Sequence, residues 1–181
     1  MKNLKIKISA FTLIELLTVI AVMAILAGIL IPVTGGVIRQ SNIAASKARL
    51  WQYVTAIENF RSEYNYYPTV YTTNPRNDGE IVNTSKGDDF IKAISGSDDT
   101  GGNFRQIQYY SFSENEVQDL DDGTSRLIDP FDNINFFIMI DADGDGIIKP
   151  FSSDPESPGE IRASATAWVT ASDGNPGYAI W

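Results

Sequence analysis

The residues best equipped for chemistry are three aspartates at alternate positions, Asp141, Asp143 and Asp145, in the run Asp-Ala-Asp-Gly-Asp-Gly-Ile-Ile that closes at Ile148. Alternate residues around a tight loop aim their oxygens at one centre, a glycine allows the turn, and Ile147 adds a backbone carbonyl. Calcium accepts roughly six to eight oxygen ligands at adaptable angles, whereas magnesium prefers few protein carboxylates and keeps its waters. Without a cation the three charges repel one another. The loop is not an EF-hand, because the bidentate Glu of that motif would fall at Ser152 and Lys149-Pro150 intervene with no helix behind them. A further ligand from Asp132, from Asp154 or from water stays open. The competing reading is a plain acidic turn, which Asp and Gly favour without metal. Three aspartates in register after an apolar segment exceed what a turn needs, so calcium is the expected cofactor.

A second chemical group is Glu15, an acid inside an apolar run. In residues 11–33 the clearly polar side chains are Thr12, Glu15 and Thr18, and about 20 apolar residues suffice to span a bilayer as a helix. Fourteen of the run are Leu, Ile, Val or Phe. At about −0.3 to −0.6 kcal/mol each they outweigh one acid costing roughly 3 kcal/mol. Residues 1–10 carry Lys2, Lys5 and Lys7 and no acid, which places that end in the cytoplasm and everything after Val33 outside. The apolar run is longer than that of a secretory signal, and Pro32 and Gly35-Gly36 follow it in place of a small-x-small cleavage site, so the segment is expected to be retained. An acid in such a helix is costly and is usually kept for a task; the competing reading is an acid tolerated near the interface.

The inventory excludes much else. With no cysteine and no histidine, disulfides, Cys/His zinc sites, Cys-His dyads and Ser-His-Asp triads are impossible. A net charge of −9 is the wrong sign for a phosphate-binding surface, and nucleic acid is not an expected partner. An enzyme is not expected: a carboxylate pair for glycoside hydrolysis is the route left, and acids in acidic turns are normally solvated. Beyond residue 10, and so without Lys2, Lys5 and Lys7, eleven cations stand against twenty-three acids, a balance of −12, with every Asp between Asp78 and Asp173.

These groups need elements to position them. Leu50, Tyr53, Val54, Ile57, Phe60 and Tyr64 recur at helical spacing, with Arg49, Gln52, Glu58, Arg61 and Ser62 elsewhere. A helix from Phe11 to about Tyr64, stopped by Tyr66-Tyr67-Pro68, would be about 80 Å long, more than one small core requires. Gly28 and Pro32 predict a bend or local melting near Pro32, a feature that the membrane exit would equally explain. Trp51 is read with the core aromatics in preference to a sugar-binding platform. Residues 88–95 read as a short helix closed by Gly96, and 106–112, 134–140 and 163–171 as strands of a small antiparallel sheet. The expected fold is α+β: a long N-terminal helix, half in membrane and half amphipathic, packed on that sheet as a lollipop.

The basic leader, the small residue Ala10, the run Phe11-Thr12-Leu13-Ile14-Glu15-Leu16-Leu17 and the helix reaching Pro32 together resemble the type IV pilins and type II secretion pseudopilins. In the head, Tyr67-Pro68-Thr69 and Asp129-Pro130-Phe131-Asp132-Asn133 resemble features of the G-type major pseudopilin. The family leader usually ends in Gly, where this chain has Ala10. The resemblance implies cleavage between Ala10 and Phe11 by a membrane-bound prepilin peptidase, N-methylation of Phe11, and pairing of Glu15 with the Phe11 amine of an adjacent subunit. It also implies a calcium-stabilised head and a homo-oligomeric filament working with minor pseudopilins and an inner-membrane assembly platform. The implied organisation is a leader at 1–10, a single-pass transmembrane and filament-core helix at 11–33, and at 34–181 an amphipathic helix with a head outside the cytoplasmic membrane. The alternatives are a surface type IV pilin for adhesion or DNA uptake, and a membrane-anchored calcium-binding module that never polymerises.

Overall fold

The structure is a computed structural model and describes residues 11–73, 78–82, 87–150, 159–172 and 174–181, with backbone alone at 30–34, 72–73 and 82. Ala10, Ser152 and Asp154 lie outside the described residues. The chain is α+β and divides into two compact units, Met1–Ser41 and Asn42–Trp181.

Helix α1 spans Leu13–Tyr64. Its end falls where the aromatic-proline stop predicts. Asn65 takes the left-handed conformation at φ 61° and donates its N–H to the Arg61 carbonyl at 2.8 Å, a geometry that Asn adopts at low cost. The local melting expected at Pro32 does not occur, and α1 runs through Pro32 and Gly35-Gly36 without a break. A proline removes one intrahelical donor, and the hydrogen-bonded turns on either side carry the helix across. Among the described residues no helix is long and apolar enough to cross a membrane.

In the unit Asn42–Trp181 the predicted stripe is the core. Leu50, Tyr53, Val54, Ile57 and Phe60 are buried with Ile138, Ile140, Ala165, Ala167 and Val169 of the sheet. Tyr64 is partly buried against them. Helix α2, Gly87–Ser95, adds Phe90, Ala93 and Ile94 and ends at Gly96, whose φ of 70° suits glycine.

The main sheet is antiparallel, in the order β1 (Thr72–Thr73), β2 (Gly79–Val82), β5 (Phe136–Ile140), β6 (Ala165–Val169), β7 (Tyr178–Ala179). A separate hairpin joins β3 (Val117–Asp119) to β4 (Ser125–Leu127). The pairings Phe136↔Val169, Ile138↔Ala167 and Ile140↔Ala165 turn one face to the α1 stripe. On the other face Met139 and Trp168 pack with Ile148 and Ile161, and Phe137 stacks on Trp168 at 5.3 Å. The acidic loop therefore leads from a central strand into the chain that covers the sheet's second face.

Two sequence readings need correction. Residues 106–112 form no strand. The Ile94 carbonyl accepts the N–H of both Tyr109 and Tyr110, and Asn103 Oδ1 accepts that of Ile107 at 3.0 Å, so this backbone is satisfied by a helix end and a side chain. Its rings pack inward: Tyr110 meets Tyr53 at 5.1 Å and Tyr109 meets Phe60 at 5.4 Å. Apolar alternation here records burial of a loop. Trp51 is the second correction, since it is 57% exposed while its neighbour Leu50 is fully buried.

Candidate functional site

Strand register builds the acidic site. Gly79 of β2 pairs with Ile140 of antiparallel β5, so the residue before Gly79 lies opposite the residue after Ile140. Those residues are Asp78 and Asp141. The approach is close: a Cβ on Gly79 would lie 2.6 Å from Ile140 Cγ1. Asp78, Asp141 and Asp143 each bring a carboxylate oxygen to one cluster, mutually within 4.8 Å, with the first two residues buried.

Asp141 organises the loop. Its Oδ1 accepts the N–H of Gly144 at 2.7 Å and of Asp145 at 3.1 Å, and its Oδ2 accepts that of Gly146 at 2.9 Å. Gly144 and Gly146 have φ of 78° and 80°, the left-handed conformations that let successive amides turn inward onto one carboxylate. Asp78 Oδ2 accepts the N–H of Lys149 at 2.8 Å, tying the loop exit to β2. Burial pushes the Asp78 carboxyl above its ordinary range; the Lys149 N–H opposes that shift, and the charges of Asp143 and Asp145 reinforce it.

Asp145 is not in this cluster. Its Oδ1 accepts the N–H of Ile147 at 2.7 Å and its Oδ2 pairs with Lys149 Nζ at 3.3 Å. These contacts, the Ile147 N–H first, hold its carboxyl below the usual range. Asp132 also lies elsewhere, in the turn where its N–H meets the Asp129 carbonyl. The residue that sequence spacing missed is Asp78, and no local signal marks it. Three clustered carboxylates, two of them buried, form a donor set that fits a hard divalent cation of calcium's type.

At the start of α1, Phe11 and Glu15 are exposed. Glu15 Oε2 accepts the backbone N–H of Thr12 at 2.8 Å and its hydroxyl at 2.7 Å, while Thr12 Oγ1 accepts the Glu15 N–H at 3.3 Å. This is a reciprocal capping box, and its signal, Thr-x-x-Glu before an apolar run, stands in the sequence. It gives Glu15 a local role that neither reading of an intramembrane acid contained. The side chain of Pro32 lies outside the described residues.

The turn at Asp129 is a brace. Its Oδ1 accepts the N–H of Phe131 and of Asn133, both at 2.8 Å, and its Oδ2 accepts the Tyr178 hydroxyl at 2.8 Å. Tyr67 likewise donates its hydroxyl to the Ser164 carbonyl at 2.9 Å and accepts from Arg61 at 2.7 Å.

No protein-family model, curated protein or solved structure matches the chain.

Proposed function

We propose that the chain is the structural subunit of a type II secretion pseudopilus or a related type IV pilus-like filament. In this reading residues 1–10 are a leader removed before Phe11 by prepilin peptidase. Residues 11–33 anchor the chain in the cytoplasmic membrane in a single pass and then form the filament core, and 34–181 carry the head outside. The observation that supports it is exposure along the start of α1 and the residues before it: every large apolar side chain described from Phe11 to Ile29 is exposed, from 46% at Val19 to 83% at Leu13. A continuous apolar surface of that length marks an interaction or membrane site. Lipid covers it before assembly and neighbouring helices cover it afterwards. Glu15 then pairs with the amine of a neighbour's Phe11, because a charge in low dielectric is strongly penalised when its partner is missing.

In the head, Asp78, Asp141 and Asp143 hold calcium, with Asp145 kept on Lys149. The cation offsets the repulsion among the clustered carboxylates and so braces the loop between β5 and the chain that covers the sheet. Filament contacts then meet a rigid surface.

The decisive test is the intact mass and N-terminal sequence of the protein from its native membrane, with electron microscopy of the same cells. The expected result is an N-methylated Phe11 and a short periplasmic filament. A long surface fibre would assign the subunit to a pilus for adhesion or uptake. An uncut chain beginning at Met1, with no filament, would overturn the reading in favour of the anchored calcium-binding module.

A further inference from the structure

In the unit Asn42–Trp181 three large apolar side chains stand exposed among the described residues: Trp51 at 57%, Trp181 at 45% and Phe104 at 74%. Two of the three wall one groove. It has a volume of about 720 Å³ and is lined by Trp51, Thr55 and Glu58 of α1 with Glu160, Arg162 and Trp181. Its walls are held in place from behind. The Trp181 ring lies 5.7 Å from that of buried Trp168, and Glu58 Oε1 accepts the Ser164 hydroxyl at 2.6 Å.

The third side chain stands elsewhere on the unit. Arg105, next to Phe104, pairs with Glu63, and its N–H donates to the Tyr64 hydroxyl at 3.1 Å, so the knob sits by the last turn of α1. Glu63 is twelve residues beyond Trp51, which puts it about 18 Å farther along the helix and about 120° round it. Charge distinguishes the knob as well. Residues 100–113 contain a single charged side chain, Arg105, in a strongly acidic chain, while the groove offers two carboxylates against one guanidinium. A guanidinium has donors to spare beyond those Glu63 engages.

We infer that the groove between Trp51 and Trp181 receives Phe104 of a second copy of this chain, with that copy's Arg105 directed at Glu160. The inference rests on the filament reading above and names its head-to-head contact. Because knob and groove are different surfaces, displaced along and around the helix, the contact is heterologous. Repeating such a contact does not pair two copies face to face; it builds a ring where the rotation closes and an open helical array where it does not, and the filament reading requires the second.

The chain has no cysteine, so the contact is testable by cross-linking the full chain in its membrane. The double variant Arg105→Cys/Glu160→Cys leaves Phe104 and both tryptophans in place. Mild oxidation should give a ladder of dimers, trimers and higher species, each single variant should stay monomeric, and adding Phe104→Asp should reduce the ladder at least tenfold. Phe104 is exposed, so its variant should melt as the parent does, and a lowered melting temperature would make the loss of ladder a folding effect and overturn the inference. A ladder that stops at dimers, or a single variant that cross-links, would replace the heterologous contact with a two-fold one and overturn it. Normal filaments without a ladder would assign the groove to another occupant and leave the filament reading standing. A ladder from a chain that is never processed would sustain the contact while the filament reading fails, and absence of both ladder and filament would remove both.

Discussion

Asp143→Asn separates the cation from the loop that would hold it. Asp143 is exposed, and the hydrogen bond made by its carboxylate is a long one, from the Asp145 N–H at 3.2 Å, which an amide oxygen can also accept. Without calcium the variant should therefore lie within about 0.5 kcal/mol of the parent, as surface changes usually do. With calcium the two should part. A ligand at a hundredfold excess over its dissociation constant stabilises the folded state by about 2.7 kcal/mol, and at roughly 4 °C per kcal/mol for a unit of this size the parent's melting temperature should rise by about 10 °C. Asp143→Asn loses one charged ligand of three and should keep less than a third of that rise. Asp141→Asn behaves differently, because its carboxylate accepts three backbone N–H groups. Turning one oxygen into an amide leaves a donor facing a donor, at a cost of about 1–3 kcal/mol even in chelator. The assay is thermal unfolding of the full chain in detergent with millimolar calcium or with chelator. A parent that does not shift, or an Asp143→Asn variant that shifts as much as the parent, would refute the reasoning.

Other perturbations test other parts of the structure. Gly79→Ala places a Cβ 2.6 Å from Ile140 Cγ1 and 2.8 Å from Tyr71 Cδ2; the expected loss is about 1–3 kcal/mol in urea unfolding, with weaker calcium stabilisation as Asp78 moves from Asp141, and unchanged unfolding would show that the strands have room to part. Burial lifts the Tyr67 hydroxyl to about 12, against the opposing charge of Arg61. An unfolded tyrosine ionises near pH 10, so the stability this group contributes is complete below about pH 10 and is lost as pH climbs through about 12. Tyr67→Phe should flatten the fall of melting temperature over that window, and an undiminished slope would mean that other tyrosines account for it. Glu15→Gln keeps the capping box, which accepts Gln as well as Glu, and removes the charge; it should insert in the membrane normally and assemble poorly, as Glu15→Ala should. Normal filament yield from the Gln variant would end the argument for pairing with Phe11.

Long periodic signals were legible because many residues repeat the same message. The α1 stripe from Leu50 to Phe60, the stop before Pro68, helix α2 and strands β5 and β6 all follow from spacing and turn chemistry, as does the α+β class. Strands β1, β2, β3, β4 and β7 have two to four residues each, too few for alternation to stand out from chance. Residues 106–112 alternate like a strand because aromatic side chains are buried there, and burial does not reveal which backbone partners are available. Trp51 shows a related ambiguity. A helix presents neighbouring residues about 100° apart, so the buried Leu50 does not place the residue beside it, and only the packed neighbours decide whether that residue lines the core or a groove.

The acidic loop divides in the same way. Its turn geometry follows from the order of Asp and Gly, since each side chain caps amides two to five residues away, and local chemistry is written in local sequence. The cluster itself is not local. Asp78 stands sixty-three residues before Asp141, and the two meet because antiparallel pairing sets Gly79 against Ile140. A one-residue slip in that register would turn their side chains to opposite faces. Register is fixed by the burial of one whole face of the sheet against α1, a collective property of distant residues that no short stretch of the chain encodes.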